Sequence, residues 1–217
     1  MTEEEVEEST GFKRGKRVNQ NKRESSVHKK KTVNNNKVGS IPTSLNWTAD
    51  GKVTSVKDQG SCGSCWAFAA LANGESTTVF NGWEPVSVDL SEQYLVECTY
   101  DSDCDGTYYV EYVMDEILGG VPRESAYPYD PFDTHAGICD ADSKVHVADS
   151  NMFYYDVEED DMIALLQEGP LAVVVSATGW SWYSSGIYEC SSWVSRNHVV
   201  QLVGYGPDYW LIKNSWG

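Results

Sequence analysis

The amino-acid sequence predicts an α+β fold in two parts, one helical and one β-rich, with a cleft between them. Three observations lead there. Helical patterns come first along the chain, runs rich in Val, Ile and aromatic residues come last, and no internal repeat relates the two. The organisation is then a basic segment over residues 1–40, a mostly helical part over 41–155 and a β-rich part over 156–217.

Each element has its own signal. From Cys65 to about Phe80 the run is Ala-rich and lacks Pro, which predicts a helix starting at or beside Cys65. Asp89 with Glu92 makes a capping-box-like start for a short helix through Cys98. Residues 107–118 read as a third helix, stopped by Gly119-Gly120. Glu158-Glu159-Asp160-Asp161 suit the first turn of a fourth, where the helix dipole favours anions, and Gly169-Pro170 ends it. Residues 171–176, 198–203 and 209–213 are β-branched and aromatic, and read as strands.

With 217 residues, 41% of them hydrophobic, the chain can bury a real core. Its charge is divided unevenly. Residues 1–40 hold 10 Lys/Arg against 6 Asp/Glu, a net of +4, and the remainder carries a net of −21. So acidic a body argues against nucleic acid or anionic membrane as a partner. It suits an acidic compartment, where partial protonation relieves self-repulsion, and it equally keeps a secreted protein soluble. No run of 18 apolar residues is present. The start Met1-Thr2-Glu3-Glu4-Glu5 lacks a charged-then-apolar leader pattern. The polar, Asn-rich composition of 1–40 reads as a disordered, solvated segment.

Residues 59–68, Gln59-Gly60-Ser61-Cys62-Gly63-Ser64-Cys65-Trp66-Ala67-Phe68, carry the most chemistry. A thiol at the start of a helix gains from the positive dipole end, and a nearby imidazolium lowers its pKa further, which generates the reactive thiolate. His198 lies 133 residues and Asn214 149 residues beyond Cys65, the reach at which a His and an Asn serve a thiol set in this motif. Cys62-Gly63-Ser64-Cys65 is also formally a redox C-x-x-C, but no βαβ pattern precedes it. A zinc site wants a second close pair, and Cys98 and Cys104 are separated by five residues. His28, His135 and His146 read as structural or solvated. Asn46-Trp47-Thr48 is a glycosylation sequon.

Further stretches extend the pattern: Asn46-Trp47, Leu90-Ser91-Glu92-Gln93, Tyr127-Pro128-Tyr129, Asn197-His198, Val203-Gly204-Tyr205-Gly206 and Lys213-Asn214-Ser215-Trp216-Gly217. Together with the cysteine motif they resemble the papain-like cysteine proteases, of the cathepsin L/papain type, from about Ile41 onward. The resemblance implies a papain-like two-domain fold, with a helical left domain, a β-sheet or barrel right domain and the active site in the cleft. It implies a cysteine endopeptidase working through a Cys65–His198 thiolate/imidazolium pair and an acyl-enzyme. Asn214 would orient the imidazole, Trp216 would shield that hydrogen bond, and Gln59 would donate to the oxyanion.

The substrate would lie extended along Gly63, Gly106 and Thr107. Tyr108, Val174 and Val199 would line an apolar pocket for the side chain two residues before the scissile bond. Where the family reads Cys-Asn-Gly-Gly, this chain has Cys104-Asp105-Gly106-Thr107. By the same resemblance Cys62 pairs with Cys104 and Cys98 with Cys139, and the partner of Cys190 lies beyond Gly217 in a chain that continues. No metal or cofactor is implied. The implied partners are protein or peptide substrates, cystatin-like inhibitors and the chain's own pro-segment in residues 1–40, for which a plain solvated tail is the alternative. The protein would be a monomer in a lysosome- or vacuole-like acidic compartment or secreted, its leader absent from this sequence. The runner-up function is a catalytically silent, peptide-binding protein of the same fold.

Overall fold

The computed structural model describes residues 41–107, 110–132, 139, 141, 143–151, 154, 157–190 and 195–217. The basic segment 1–40, Tyr108 and His135 lie outside the described residues. The architecture is α+β, as the sequence predicts, and three of the four strands of its main antiparallel sheet follow the helices while the fourth precedes them. Among the described residues no helix is long and apolar enough to cross a membrane.

The central element is helix α1, Cys65–Phe80, in which 13 of 16 residues are buried. A helix apolar on all sides belongs inside a core. Its small residues Ala67, Ala69, Ala70 and Ala72 let neighbours approach closely. Helix α2, Glu92–Cys98, and helix α3, Val110–Leu118, pack against it. Trp66, Leu71, Leu95, Val113, Ile117 and Val121 form one cluster with it, which Val199 of the sheet completes.

Two sequence expectations need correction here. The cap of α2 is Ser91, whose hydroxyl accepts from Tyr94 N at 3.0 Å, not Asp89. Asp89 lies further upstream and pairs with Lys57 instead. Thr107 is not part of the third helix, which spans Val110–Leu118, because Gly106–Thr107 forms strand β3, paired with β2 at Ser102–Asp103. The disulfide at Cys104 closes this hairpin onto the start of α1, a constraint that local helix propensity does not register. A second short pair, β4 at Val121–Pro122 with β5 at Lys144–Val145, also went unpredicted.

The sheet has β7, His198–Gly206, as its trunk. Strand β6, Leu171–Val175, and strand β1, Leu45–Asn46, pair with successive stretches of β7, and β8, Tyr209–Lys213, pairs with residues opposite both. β6 and β1 therefore share one edge of the trunk and β8 holds the other. At the crossing with β1, any Cβ on Gly204 would strike the Leu45 carbonyl, so the glycine admits the first strand. Helix α4, Glu159–Leu166, covers the sheet by packing Leu166, Met162 and Ile163 against Leu202, Tyr205 and Leu171. Trp47 ties the two layers: its indole N–H donates to Leu166 O at 2.9 Å and its ring meets Phe80 edge-on.

A buried ionic cluster joins the loop before the cysteine motif to both first helices. Lys57 Nζ lies 3.0 Å from Glu75 Oε1, 2.7 Å from Glu92 Oε1 and 2.7 Å from Asp89 Oδ1, and donates to Leu90 O. Burial opposes the lysine charge, but the carboxylates of Glu92 and Glu75 outweigh it and hold Lys57 above its ordinary range. Thr54 donates to Glu75 Oε2 at 2.5 Å and accepts from Lys213 Nζ at 2.9 Å, which carries the network to β8. Lys57→Met, which strands two buried carboxylates, is expected to lower unfolding free energy by about 3–5 kcal/mol in urea titration. Arg123→Ala, which breaks an exposed pair with Glu84, is expected to cost no more than about 1 kcal/mol in the same assay.

Candidate active site

Cys65 is the first residue of α1 and is buried, so its thiol sits at the positive end of the helix dipole. It stands outside both disulfides, which join Cys62 to Cys104 and Cys98 to Cys139 as the resemblance implies. With Cys62 bonded, Cys62 and Cys65 are not a dithiol pair. Among the described residues no group of His, Cys, Asp or Glu is placed to hold a metal. The disulfide and two hydrogen bonds, Gly63 N to Cys104 O at 2.8 Å and Trp66 Nε1 to Asp103 O at 3.1 Å, fasten the β2–β3 hairpin across the helix start.

His198 opens β7 and is fully buried. Three residues further along the same strand, Gln201 Nε2 donates to Ala72 O and Ser76 Oγ, which lays β7 against α1. Nε2 of His198 is 2.7 Å from Asn214 Oδ1. With that oxygen accepting, Nε2 carries the ring hydrogen and Nδ1 presents its lone pair. Nδ1 is buried and has no hydrogen-bond partner among the described residues. Burial pushes the imidazole down to about 4, with the Asn214 hydrogen bond acting the other way.

Trp216 stacks 4.9 Å from the His198 ring, tilted by 33°. Trp180 adds a second wall, edge-on to His198 and 5.9 Å from both that ring and Trp216. The two indoles keep water from the His198–Asn214 bond and so strengthen it. Trp180 was missed from sequence, since a Trp after Gly179 carries no local signal for a histidine partner.

Gln59 is fully buried and linked to the segment that holds Asn214. Its backbone N–H donates to Ser215 O at 2.9 Å, its Oε1 accepts from Ser215 Oγ at 2.6 Å, and its Nε2 donates to Cys62 O at 2.8 Å. A bridge between Asp58 and Trp216 extends this pairing. The structure therefore pairs His198 with Asn214 directly, joins Gln59 to the adjacent Ser215, and links the segment leading into Cys65 to Gln59 through the Cys62 carbonyl.

The residues expected from the resemblance to bind substrate fall into two groups. Gly63, Gly106 and Thr107 lie on the hairpin side: Gly106 has φ of +105°, which favours glycine, and the Thr107 hydroxyl accepts from Ser102 Oγ at 2.8 Å across the hairpin. Val174 and Val199 are register partners on β6 and β7, so their side chains share one face. Tyr108 cannot be placed with either group.

Residues 41–217 match the family described as papain family cysteine protease. The chain belongs to this family. A vignain from Ricinus communis is 38% identical over 196 residues, covering 83% of this chain and 52% of the relative. A viral cathepsin from Spodoptera litura multicapsid nucleopolyhedrovirus is 40% identical over 185 residues, covering 81% and 53%. Among solved structures, digestive procathepsin L2 proteinase from the Tenebrio molitor larval midgut superposes with a TM-score of 0.80 at 31% identity, over 100% of this chain and 71% of that one. The chain thus spans about half the length of the curated relatives it matches. Its papain-family fold is shown by sequence and structure alike.

Because burial depresses the His198 pKa to about 4 from an ordinary 6.5, the folded state binds fewer protons than the unfolded one across that interval. The stability held by the neutral ring is complete above pH about 6.5 and is lost as pH falls towards 4. In a Cys65→Ala background, where no thiolate can hold an imidazolium, denaturant titrations should show this loss. The additional change His198→Gln should flatten the profile over the same interval.

Proposed function

We propose that the protein is a cysteine endopeptidase in which Cys65 is the nucleophile and His198 its base and acid. The observation that carries this reading is His198 Nδ1, a buried nitrogen without a hydrogen-bond partner among the described residues, its other nitrogen held by Asn214. Such an atom is poised to take the thiol proton, and the resulting imidazolium is stabilised in a buried site by the thiolate it creates.

The thiolate attacks the scissile carbonyl carbon, and the negative charge moves to the carbonyl oxygen. The Gln59 amide and the backbone N–H of Cys65 receive that charge. His198 gives its proton to the departing amine nitrogen as the C–N bond breaks, leaving a thioester on Cys65. Water then attacks the thioester carbon with His198 Nδ1 accepting its proton, and the thiolate departs. Asn214 keeps the ring in one orientation through both steps.

Substrate backbone would run along Gly63, Gly106 and Thr107. The shared face of Val174 and Val199 supports an apolar pocket for the residue two before the cut. The acidic body, net −21 over residues 41–217, supports work in a vacuole-like acidic compartment or outside the cell. Intact-mass labelling with a leucine-bearing peptidyl epoxide at mildly acidic pH tests the reading. A single adduct, absent in Cys65→Ala, is expected. A folded chain that takes up no epoxide and cleaves no peptide would instead be a silent peptide-binding protein of this family.

Residues 1–40, net +4 against that acidic body, are read as an inhibitory pro-segment. The full-chain match to a procathepsin structure supports this. Their removal should raise turnover of a small peptide substrate, most at low ionic strength, where attraction between opposite charges is least screened. Unchanged turnover would mark them as a plain tail.

A further inference from the structure

Tyr129 has no part in the chemistry above, yet its hydroxyl touches both sides of the site. It lies 2.9 Å from the Gln59 carbonyl oxygen and 2.7 Å from Ser64 Oγ. The chemistry of the three groups fixes the direction of both bonds. A carbonyl only accepts, and a phenol has one hydrogen, so Tyr129 donates to Gln59 O and Ser64 must donate to Tyr129.

The two residues it joins are those whose separation matters. Gln59 supplies the oxyanion donor, and Ser64 is the N-cap residue immediately before the nucleophile. Ser64 makes no side-chain cap bond to its own helix, although serine is well suited to do so. Its hydroxyl is directed at Tyr129 instead. Gln59 and Ser64 are both fully buried.

The phenol is itself held firmly. Phe68 of α1 meets its ring edge-on at 4.9 Å, and its backbone N–H donates to Glu124 Oε1 at 2.7 Å. Burial pushes the Tyr129 pKa well above its ordinary value, with the Ser64 hydrogen bond acting the other way, so the hydroxyl keeps its proton.

We propose that Tyr129 is a positioning residue that sets the distance between the oxyanion donor Gln59 and the nucleophile Cys65. This rests on the protease reading above. The two donors that must converge on one oxygen come from opposite ends of the arc 59–65, and a tetrahedral oxyanion wants both within about 2.7–3.1 Å. The arc includes Gly60 at φ of +60° and has Tyr129 as a brace across its span. Errors of about 1 Å in such placements cost up to about 100-fold in rate.

The test compares Tyr129→Phe with the unaltered protein, counting active sites by epoxide titration. Per titrated site, kcat is expected to fall about 10-fold while KM stays within about two-fold. Epoxide opening builds no tetrahedral oxyanion, so its second-order rate and pH profile should stay within about two-fold. Ser64→Ala, which removes only the outer bond, should lower kcat by about three-fold, and the double variant should lose no more than Tyr129→Phe alone.

A brace that serves folding only would reduce the number of titratable sites and leave kcat per site unchanged, which overturns the proposal. So would a parallel fall in the epoxide rate. If Tyr129→Phe does not fold, an unchanged kcat in Ser64→Ala overturns it equally. An unaltered protein that neither takes epoxide nor cleaves peptide ends the protease reading and this inference together, whereas normal turnover beside an unchanged Tyr129→Phe ends only the inference.

Discussion

The structure turns on one buried cation. Lys57 sits among the carboxylates of Glu75, Glu92 and Asp89, which come from α1, α2 and the turn before α2. Two of those carboxylates, Glu75 and Glu92, are almost completely buried, so neither α1 nor α2 can move away from Lys57 without leaving a charge in a low-dielectric interior. Lys57 is two residues before Gln59, and Lys213, at the far end of the same network, immediately precedes Asn214. The cluster thus anchors the segment that leads to Gln59 and the segment that leads to Asn214 to one helix, whose first residue is Cys65. Burial pushes the Lys213 pKa below its ordinary value, and the Glu75 carboxylate offsets that only in part.

Much of this was legible in the sequence because the chemistry is local there. The cysteine motif, the Ala-rich run after it and the β-branched runs at the end each specify their element through short-range periodicity. The strands over 171–175 and 209–213 and the helix from Cys65 fall where the residues put them. The failures share a different cause. Asp89 reads as a cap because Asp, an intervening pair and Glu make a good local motif, but Lys57, distant along the chain, is the stronger partner. Thr107 reads as helix because nothing local shows that a disulfide at Cys104 pins its hairpin. Ser91, the true cap, was quoted in the sequence only as part of a longer match.

The same division holds at the site. Cys65, His198, Asn214 and Gln59 were readable as a set because their spacing is itself a signal. Trp180 and Tyr129 were not, because each meets His198 or Gln59 only through space and their own neighbours in sequence give no hint of it. Trp180 closes off one side of an imidazole, and Tyr129 braces a turn it meets only in the folded chain. Residues of this kind, apolar in bulk with one polar atom or an aromatic edge, look like core until a partner is seen.

The bonds that complete the site connect residues very far apart in the chain. Ser215 reaches Gln59 across 156 positions, Lys213 reaches Thr54 across 159 and Tyr205 reaches Pro42 across 163. Synthesis delivers those partners more than 150 residues apart. A nascent chain can therefore form the helix bearing Cys65 long before it possesses His198, and the contacts of Gln59 with Ser215 wait until residue 215 has been made. A thiol at position 65 has no imidazole of residue 198 beside it until 133 further residues have been added, and on the proposed mechanism it is a poor weapon against the half-folded chain that carries it. Long-range closure thus gives the order of events: structure first, reactivity last.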